Sequence, residues 1–162
     1  MTVDELFDAW EQAWSGRDPD AFAGVCDPDD VHYEDPLTTA PLESPEAIGA
    51  HAARMWQGFP DARMQKTGPR LVGPDGHAAA PAKVLATHTQ ELYGLTPTNR
   101  FVIVHGVTVA QLRDGRLHRI RLFFDVWDTA TQLGVLPRPG TLGEKALLMV
   151  RGFGFKRGEK AS

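Results

Sequence analysis

The chain has 162 residues, of which 42% are hydrophobic and 23% charged, a balance that supports one cored domain and excludes a disordered chain. Its formal net charge is −4 with acidic and basic residues interspersed, which excludes the concentrated positive field of a nucleic-acid binder. A single cysteine, Cys26, rules out an internal disulfide or a cysteine zinc site, and no apolar run is long enough to span a membrane. The acidic start Met1-Thr2-Val3-Asp4-Glu5 lacks the apolar stretch of a signal peptide, so the expectation is a cytoplasmic globular protein.

Thr2 and Glu5 form a capping box, and Leu6, Phe7, Trp10, Ala13 and Trp14 follow at helical spacing up to Gly16. Asp18-Pro19 restarts a short helix to about Val25, with Phe22 and Val25 inward. Asp30 to Pro36 then reads as a strand that stops. Val31 and Tyr33 share one face and His32 and Glu34 the other, and Pro36 removes a ladder donor. Residues 37–44 are a loop. Ser44-Pro45-Glu46 opens a third helix with Ile48, His51, Ala52, Met55 and Trp56 on one stripe, closed near Gly58.

From there the pattern changes to strands. Ala62 to Val72 alternates, with Pro69 marking an edge or a bulge. Ala79 to Leu92 is the next strand, with Val84, Ala86 and His88 on the parity opposite Lys83. Arg100 to Leu112 and Leu117 to Trp127 form a hairpin about Arg113-Asp114-Gly115-Arg116. Arg119 and Arg121 point outward in the last strand, which places Ile120, Leu122 and Phe124 inside. Thr129 with Gln132 opens a short helical turn ending at Gly134. Thr141 with Glu144 opens a final helix, Leu142 to about Arg151, with Leu142, Ala146, Met149 and Val150 on a stripe, and Lys156 to Ser162 is a charged tail expected to fray. The summed pattern is α+β: a curved antiparallel sheet with helices on one face, leaving a cone with an apolar interior suited to a small molecule.

Within this frame the chain resembles the SnoaL-like polyketide cyclases. The resemblance rests on Asp30 to Pro36, Phe59-Pro60-Asp61, Ala86-Thr87-His88, Gly94-Leu-Thr-Pro-Thr98, Asp114-Gly115-Arg116 and Gln132-Leu-Gly-Val-Leu-Pro137, in that order. It covers about residues 3–137. It implies a cone-shaped α+β barrel of the superfamily that also holds ketosteroid isomerase and limonene epoxide hydrolase. It also implies a homodimer through the outer sheet face, and no cofactor. The barrel domain would occupy residues 1–140, with the last helix and tail, 141–162, packed on the same domain. A hydrophobic small-molecule substrate follows, with neither nucleic acid nor membrane as partner.

Candidate residues follow from both readings. Asp35 ends its strand beside an aromatic face. If that end opens into an apolar cavity, burial raises its pKa and makes it a base; the other reading is a cap for the Asp-Pro turn. By resemblance Asp35 matches the general base of the isomerases, and Trp10 and Thr108 fall where those enzymes keep a tyrosine and a protonated aspartate as oxyanion donors. The aspartate that cyclases carry on the last strand falls at Leu122. Asp125 is a second candidate carboxylate if a bulge turns it inward; otherwise it is an ion pair or an end-of-strand cap. His88 is either a cavity-lining proton partner or a core histidine held by a neighbouring strand, and His51 faces the same interior. His105 points away from the cavity, toward a subunit interface. No histidine pair has metal-ligand spacing, so no metal site is expected. The aromatic set Trp10, Trp14, Tyr33, Trp56, Phe59, Phe124 and Trp127, together with Met55, is core or cavity wall, and its size suits a polycyclic ligand.

The expected chemistry is proton abstraction next to a carbonyl, leading to isomerisation, ring closure or elimination. Asp35 is the base and His88 the partner acid or orienting group. The competing expectation is a non-catalytic binding or scaffold protein of the same fold. A third is water-driven hydrolysis of an epoxide or ester between Asp35 and Asp125.

Overall fold

A computed structural model describes residues 1–150. Helix α1, Val3–Gly16, starts at the expected capping box: the Thr2 hydroxyl accepts from the Glu5 N–H, and the Glu5 carboxylate accepts from the Thr2 N–H. Its end is set by Arg17, which takes the left-handed conformation after Gly16. Leu6, Phe7, Trp10 and Ala13 are buried along one side. Pro19–Gly24 is a 3₁₀ helix, tighter than the α-turn expected, with Phe22 and Val25 inward as the sequence indicates. Helix α2, Pro45–Gly58, carries the Ser44 cap and buries Ile48, His51, Ala52 and Trp56.

The sheet has six strands and does not close. They are β1, His32–Glu34; β2, Arg63–Lys66; β3, Leu71–Val72; β4, His77–Thr87; β5, Phe101–Arg113; and β6, Arg116–Phe124. The order is β1-β6-β5-β4-β2, with β3 also on β4. Four differences from the sequence reading matter. The strand expected over Ala62 to Val72 is two strands, because residues 67–70 oppose only Ala80 and Pro81 and bulge out around Pro69. Strand β1 runs parallel to β6, whereas the sequence suggested a wholly antiparallel sheet. Strand β4 stops at Thr87, although the His88 backbone still pairs with Arg100 and Asn99, and the loop that follows brings Leu92, Tyr93 and Leu95 to the cone. Strand β6 stops at Phe124, because the Asp125 carboxylate caps helix α3, Val126–Gln132, accepting from the Asp128 N–H at 2.8 Å.

Layering follows from side-chain size. Trp10, Phe7, Phe22, Tyr33 and Ile48 form a dense core between the helices and the sheet, with Trp10 and Phe22 edge to face at 5.5 Å. The inward positions of β4 are mostly alanine: Ala78, Ala80, Ala82 and Ala86 are buried. Of these, Ala82 and Ala86 border the cavity, where their small side chains leave space above the sheet. Helix α3 closes its side. The Gln132 amide pairs with both the N–H and the C=O of Ile103, each at 2.9 Å, along β5. Helix α4, Leu142–Val150, has no buried side chain, and its expected stripe of Leu142, Ala146, Met149 and Val150 is exposed. Arg151 and the charged tail lie outside the described residues.

Gly49 fixes how α2 meets the 3₁₀ helix: a Cβ there would sit 2.2 Å from the Pro19 carbonyl oxygen, with no flexible atom to yield. Gly49→Ala should therefore cost about 1–3 kcal/mol, read as a lower urea midpoint with an unchanged slope.

Candidate active site

The local chain path puts Asp35 where a strand gives way to a turn. Its Oδ1 accepts from the N–H groups of Leu37 and Thr38, at 2.7 and 3.0 Å, so the turn-capping reading holds. Its Oδ2 accepts from the Tyr33 hydroxyl at 2.7 Å and from His51 Nε2 at 2.8 Å, and the side chain is 4% exposed. The same residue borders the cavity. Burial pushes its pKa up, but the hydrogen bonds from His51 and Tyr33 outweigh burial, and the carboxyl sits below its ordinary value. This reverses the expectation of a raised pKa: burial came with donors. Burial, followed by the charge of Asp35, pushes the Tyr33 hydroxyl well above its ordinary range, so it stays a donor.

The cavity holds about 350 Å³. Trp14, Met55, Leu122 and Phe124 line it, as the sequence suggested, along with Asp35 and His88. Ala82, Ala86, Val102 and Val104 form its floor. The remaining wall was not read from the sequence. It comes from Leu92, Tyr93 and Leu95 in the loop after β4, and from Val126, Ala130 and Leu133 on and beside α3. The alternation of apolar and turn residues in 92–98 is a faint signal of this; nothing in α3 marks it as a wall. A more polar cavity of about 320 Å³, lined by Glu34, Thr38, Thr39 and Arg121, meets the first at Asp35 and Leu122.

Six expected site residues, and Trp127 of the aromatic set, lie elsewhere. Trp10 and Thr108, at the isomerase donor positions, are buried in the core, where Trp10 Nε1–H donates to Thr108 Oγ1 at 3.3 Å, and neither residue lines the cavity. Tyr33 and His51 stand behind Asp35 as its donors rather than in the cavity wall. Trp56 donates to the Trp14 carbonyl at 2.8 Å. Asp125 is exposed at the α3 N-terminus and is absent from the cavity wall, because capping the helix turns its carboxylate to the helix amides. Trp127 is exposed rather than core.

Two ring nitrogens stand out. The Thr98 N–H donates to His88 Nδ1 at 3.2 Å, and a backbone N–H can only donate. Nδ1 is therefore the acceptor, and the proton of the neutral ring lies on Nε2. His88 is fully buried, with Phe59 tilted over it at 5.2 Å. Its Nε2 and the Trp14 Nε1 are both buried without a hydrogen-bond partner among the described residues. A buried unpaired donor costs about 1–3 kcal/mol.

Residues 4–133 match the model of the SnoaL-like polyketide cyclase family, and the chain belongs to that family. Membership places it among enzymes of the cyclase and isomerase kind. A candidate SnoaL-like polyketide cyclase from Jannaschia sp. CCS1 superposes with a TM-score of 0.70 at 21% identity, covering 83% of this chain and 92% of that one. IdmH from Streptomyces antibioticus, a candidate polyketide cyclase, gives 0.70 at 19% identity over 83% of this chain and 99% of its own. A protein of ketosteroid isomerase-like fold from Catenulispora acidiphila, in complex with trimethylamine, gives 0.68 at 20% over 82% and 95%. At these identities the superpositions establish the fold. No curated protein matches the chain. Among the described residues no helix is long and apolar enough to cross a membrane.

Removing one donor should reverse part of the Asp35 shift. Tyr33→Phe is expected to raise the Asp35 pKa, because the ionised form loses a bond while burial stays; carboxyl-carbon NMR reads the change directly. The linkage has a definite sign. The folded pKa lies below the ordinary 3.8, so the stabilisation from Asp35 is complete above that value and is lost as pH falls through the lower folded one. Wild type and Tyr33→Phe should therefore lose stability over different acid windows, the variant's at higher pH.

Proposed function

We propose that the protein is a cofactor-independent cyclase or isomerase acting on a hydrophobic carbonyl compound, polyketide or terpenoid-like, inside the apolar cone. The observation that carries this reading is one ionised carboxylate, Asp35, in the wall of a largely apolar cavity that His88 and Lys83 also line. Asp35 removes a proton from carbon next to a carbonyl, the electrons move onto the carbonyl oxygen, and His88 Nε2–H donates to the enolate that forms. The proton then returns from Asp35 at another carbon, or the enolate carbon adds to a second carbonyl carbon of the same molecule, whose C=O π electrons move to its oxygen and take up a proton.

The donors around Asp35 tune this chemistry. Four hydrogen bonds keep it charged but weaken it as a base. A weak base works on an acidic carbon, so the reading favours a C–H flanked by two carbonyls over one beside a simple ketone. Leu122, at the position where the cyclases place an aspartate, keeps that part of the wall apolar and leaves Asp35 the sole carboxylate there.

Leu122 is also the observation that favours a second reading, a protein that binds a hydrophobic metabolite without turning it over. Deuterium exchange into a naphthyl-substituted 1,3-diketone, followed by proton NMR, separates the two. Wild type should speed exchange above buffer, and Asp35→Asn should lose at least a hundredfold of that rate while keeping the wild-type melting curve. An equally active Asp35→Asn, or no acceleration by wild type, leaves the binding reading. The hydrolase reading needs a second inward carboxylate, and Asp125 points elsewhere.

The homodimer implied by the resemblance has a matching surface. Phe101, Ile103, Val109 and Phe123 are exposed on the outer face of β5 and β6, and exposed apolar side chains grouped on one face mark an interaction site. Sedimentation should give a dimer for wild type and a monomer for Phe123→Glu.

A further inference from the structure

We infer that Trp14 and His88 form a two-point clamp, the indole Nε1–H and the imidazole Nε2–H each donating to one oxygen of the ligand. The inference rests on the reading that this cavity holds the substrate, and it adds a second donor and a specificity rule to it.

The tryptophans themselves make the argument. Three of the four belong to the helices that pack on the core. Trp10 gives its N–H to Thr108 and Trp56 gives its N–H to the Trp14 carbonyl. Only Trp14, of these three, has no acceptor among the described residues, and it is the only one of them that borders the cavity. Packing does not explain the nitrogen, since a phenylalanine at 14 would fill the wall without an orphan donor. The ring is held in place from behind: Phe22 lies edge-on at 5.4 Å and His51, the donor to Asp35, edge-on at 6.2 Å.

His88 repeats the pattern by a different route. Its Nδ1 is fixed as acceptor by the Thr98 N–H, so the ring presents a donor at Nε2 and cannot act there as a base. That nitrogen too is buried, unpaired among the described residues, and part of a cavity residue. Both donors belong to side chains that line one apolar cavity, and a ligand with two oxygen acceptors on a hydrophobic ring system is the kind that would satisfy them. They penalise a hydrocarbon of the same shape, which leaves both donors unpaired.

The test uses the whole protein and a matched pair of probes, 2,3-dimethyl-1,4-naphthoquinone and 2,3-dimethylnaphthalene. Neither depends on Asp35 acting as a base. In the nitrogen-15 spectrum of the wild type, the Trp14 indole N–H signal should move downfield with the quinone and stay near its free position with the hydrocarbon. The His88 nitrogens should report the Nε2–H tautomer. Trp14→Phe and His88→Phe should each weaken quinone binding about three- to tenfold and leave hydrocarbon binding within about twofold. Equal weakening of both probes, an indole signal indifferent to the quinone oxygens, or an Nδ1–H tautomer overturns the clamp. Failure of both probes to bind overturns it together with the cavity reading. A clamp that holds while Asp35→Asn still exchanges sinks the base alone; Asp35-dependent exchange without quinone selectivity sinks the clamp alone.

Discussion

Everything in this site depends on how a buried carboxylate is kept charged. Asp35 is nearly inaccessible, and burial by itself would neutralise it. Four donors prevent that: two backbone N–H groups from its own turn, one tyrosine on its own strand and one histidine from α2. Hydrogen bonds to a charged group are worth about 1.5–3 kcal/mol each, so the set offsets a desolvation penalty of several kcal/mol. The arrangement also ties α2 to the end of β1 and so fixes the side of the cone at which Asp35 stands.

A second constraint is the hollow above the sheet. Ala82 and Ala86 on β4 withdraw the floor, while Trp10, Phe22 and Tyr33 fill the other end of the cone. The boundary between filled and empty falls at Trp14, whose ring packs on the core and borders the cavity at once. Polar groups at that boundary are few, and each has a consequence: a charge at Asp35, a donor at His88, a donor at Trp14. The loop after β4 closes the mouth because Gly58 lets Leu92 approach the end of α2; a Cβ on Gly58 would sit 2.8 Å from the Leu92 Cβ.

Much of the frame was legible from local pattern. The Thr2 and Ser44 caps, the strand parities around Tyr33 and Ile120, and the Asp114-Gly115 hairpin turn are local signals, and they appear where the residues say. Strand ends were misread where a side chain decides them from outside the strand. Asp125 ends β6 by capping α3, and period-two alternation through Trp127 carries no trace of that choice. The site was half legible. Asp35, His88, Trp14, Leu122 and Phe124 carry parity or motif signals. The sign of the Asp35 shift was not, because it depends on His51, sixteen residues away along the chain and on another element. Nor was the mutual pairing of Trp10 and Thr108, which joins α1 to β5 and removes both from the ligand's reach.

The central claim is that a weak Asp35, ionised at neutral pH, acts on acidic carbon. The most direct test is the pH dependence of wild-type-catalysed deuterium exchange into the naphthyl-substituted 1,3-diketone, corrected for the buffer rate. The account predicts that the protonation limb from Asp35 lies below the ordinary aspartate value of about 3.9, so the catalysed rate is level from neutral pH down to about 5. A limb centred near 6 would contradict it, since that base would be a carboxyl raised by burial, or a histidine, and not the four-fold hydrogen-bonded Asp35.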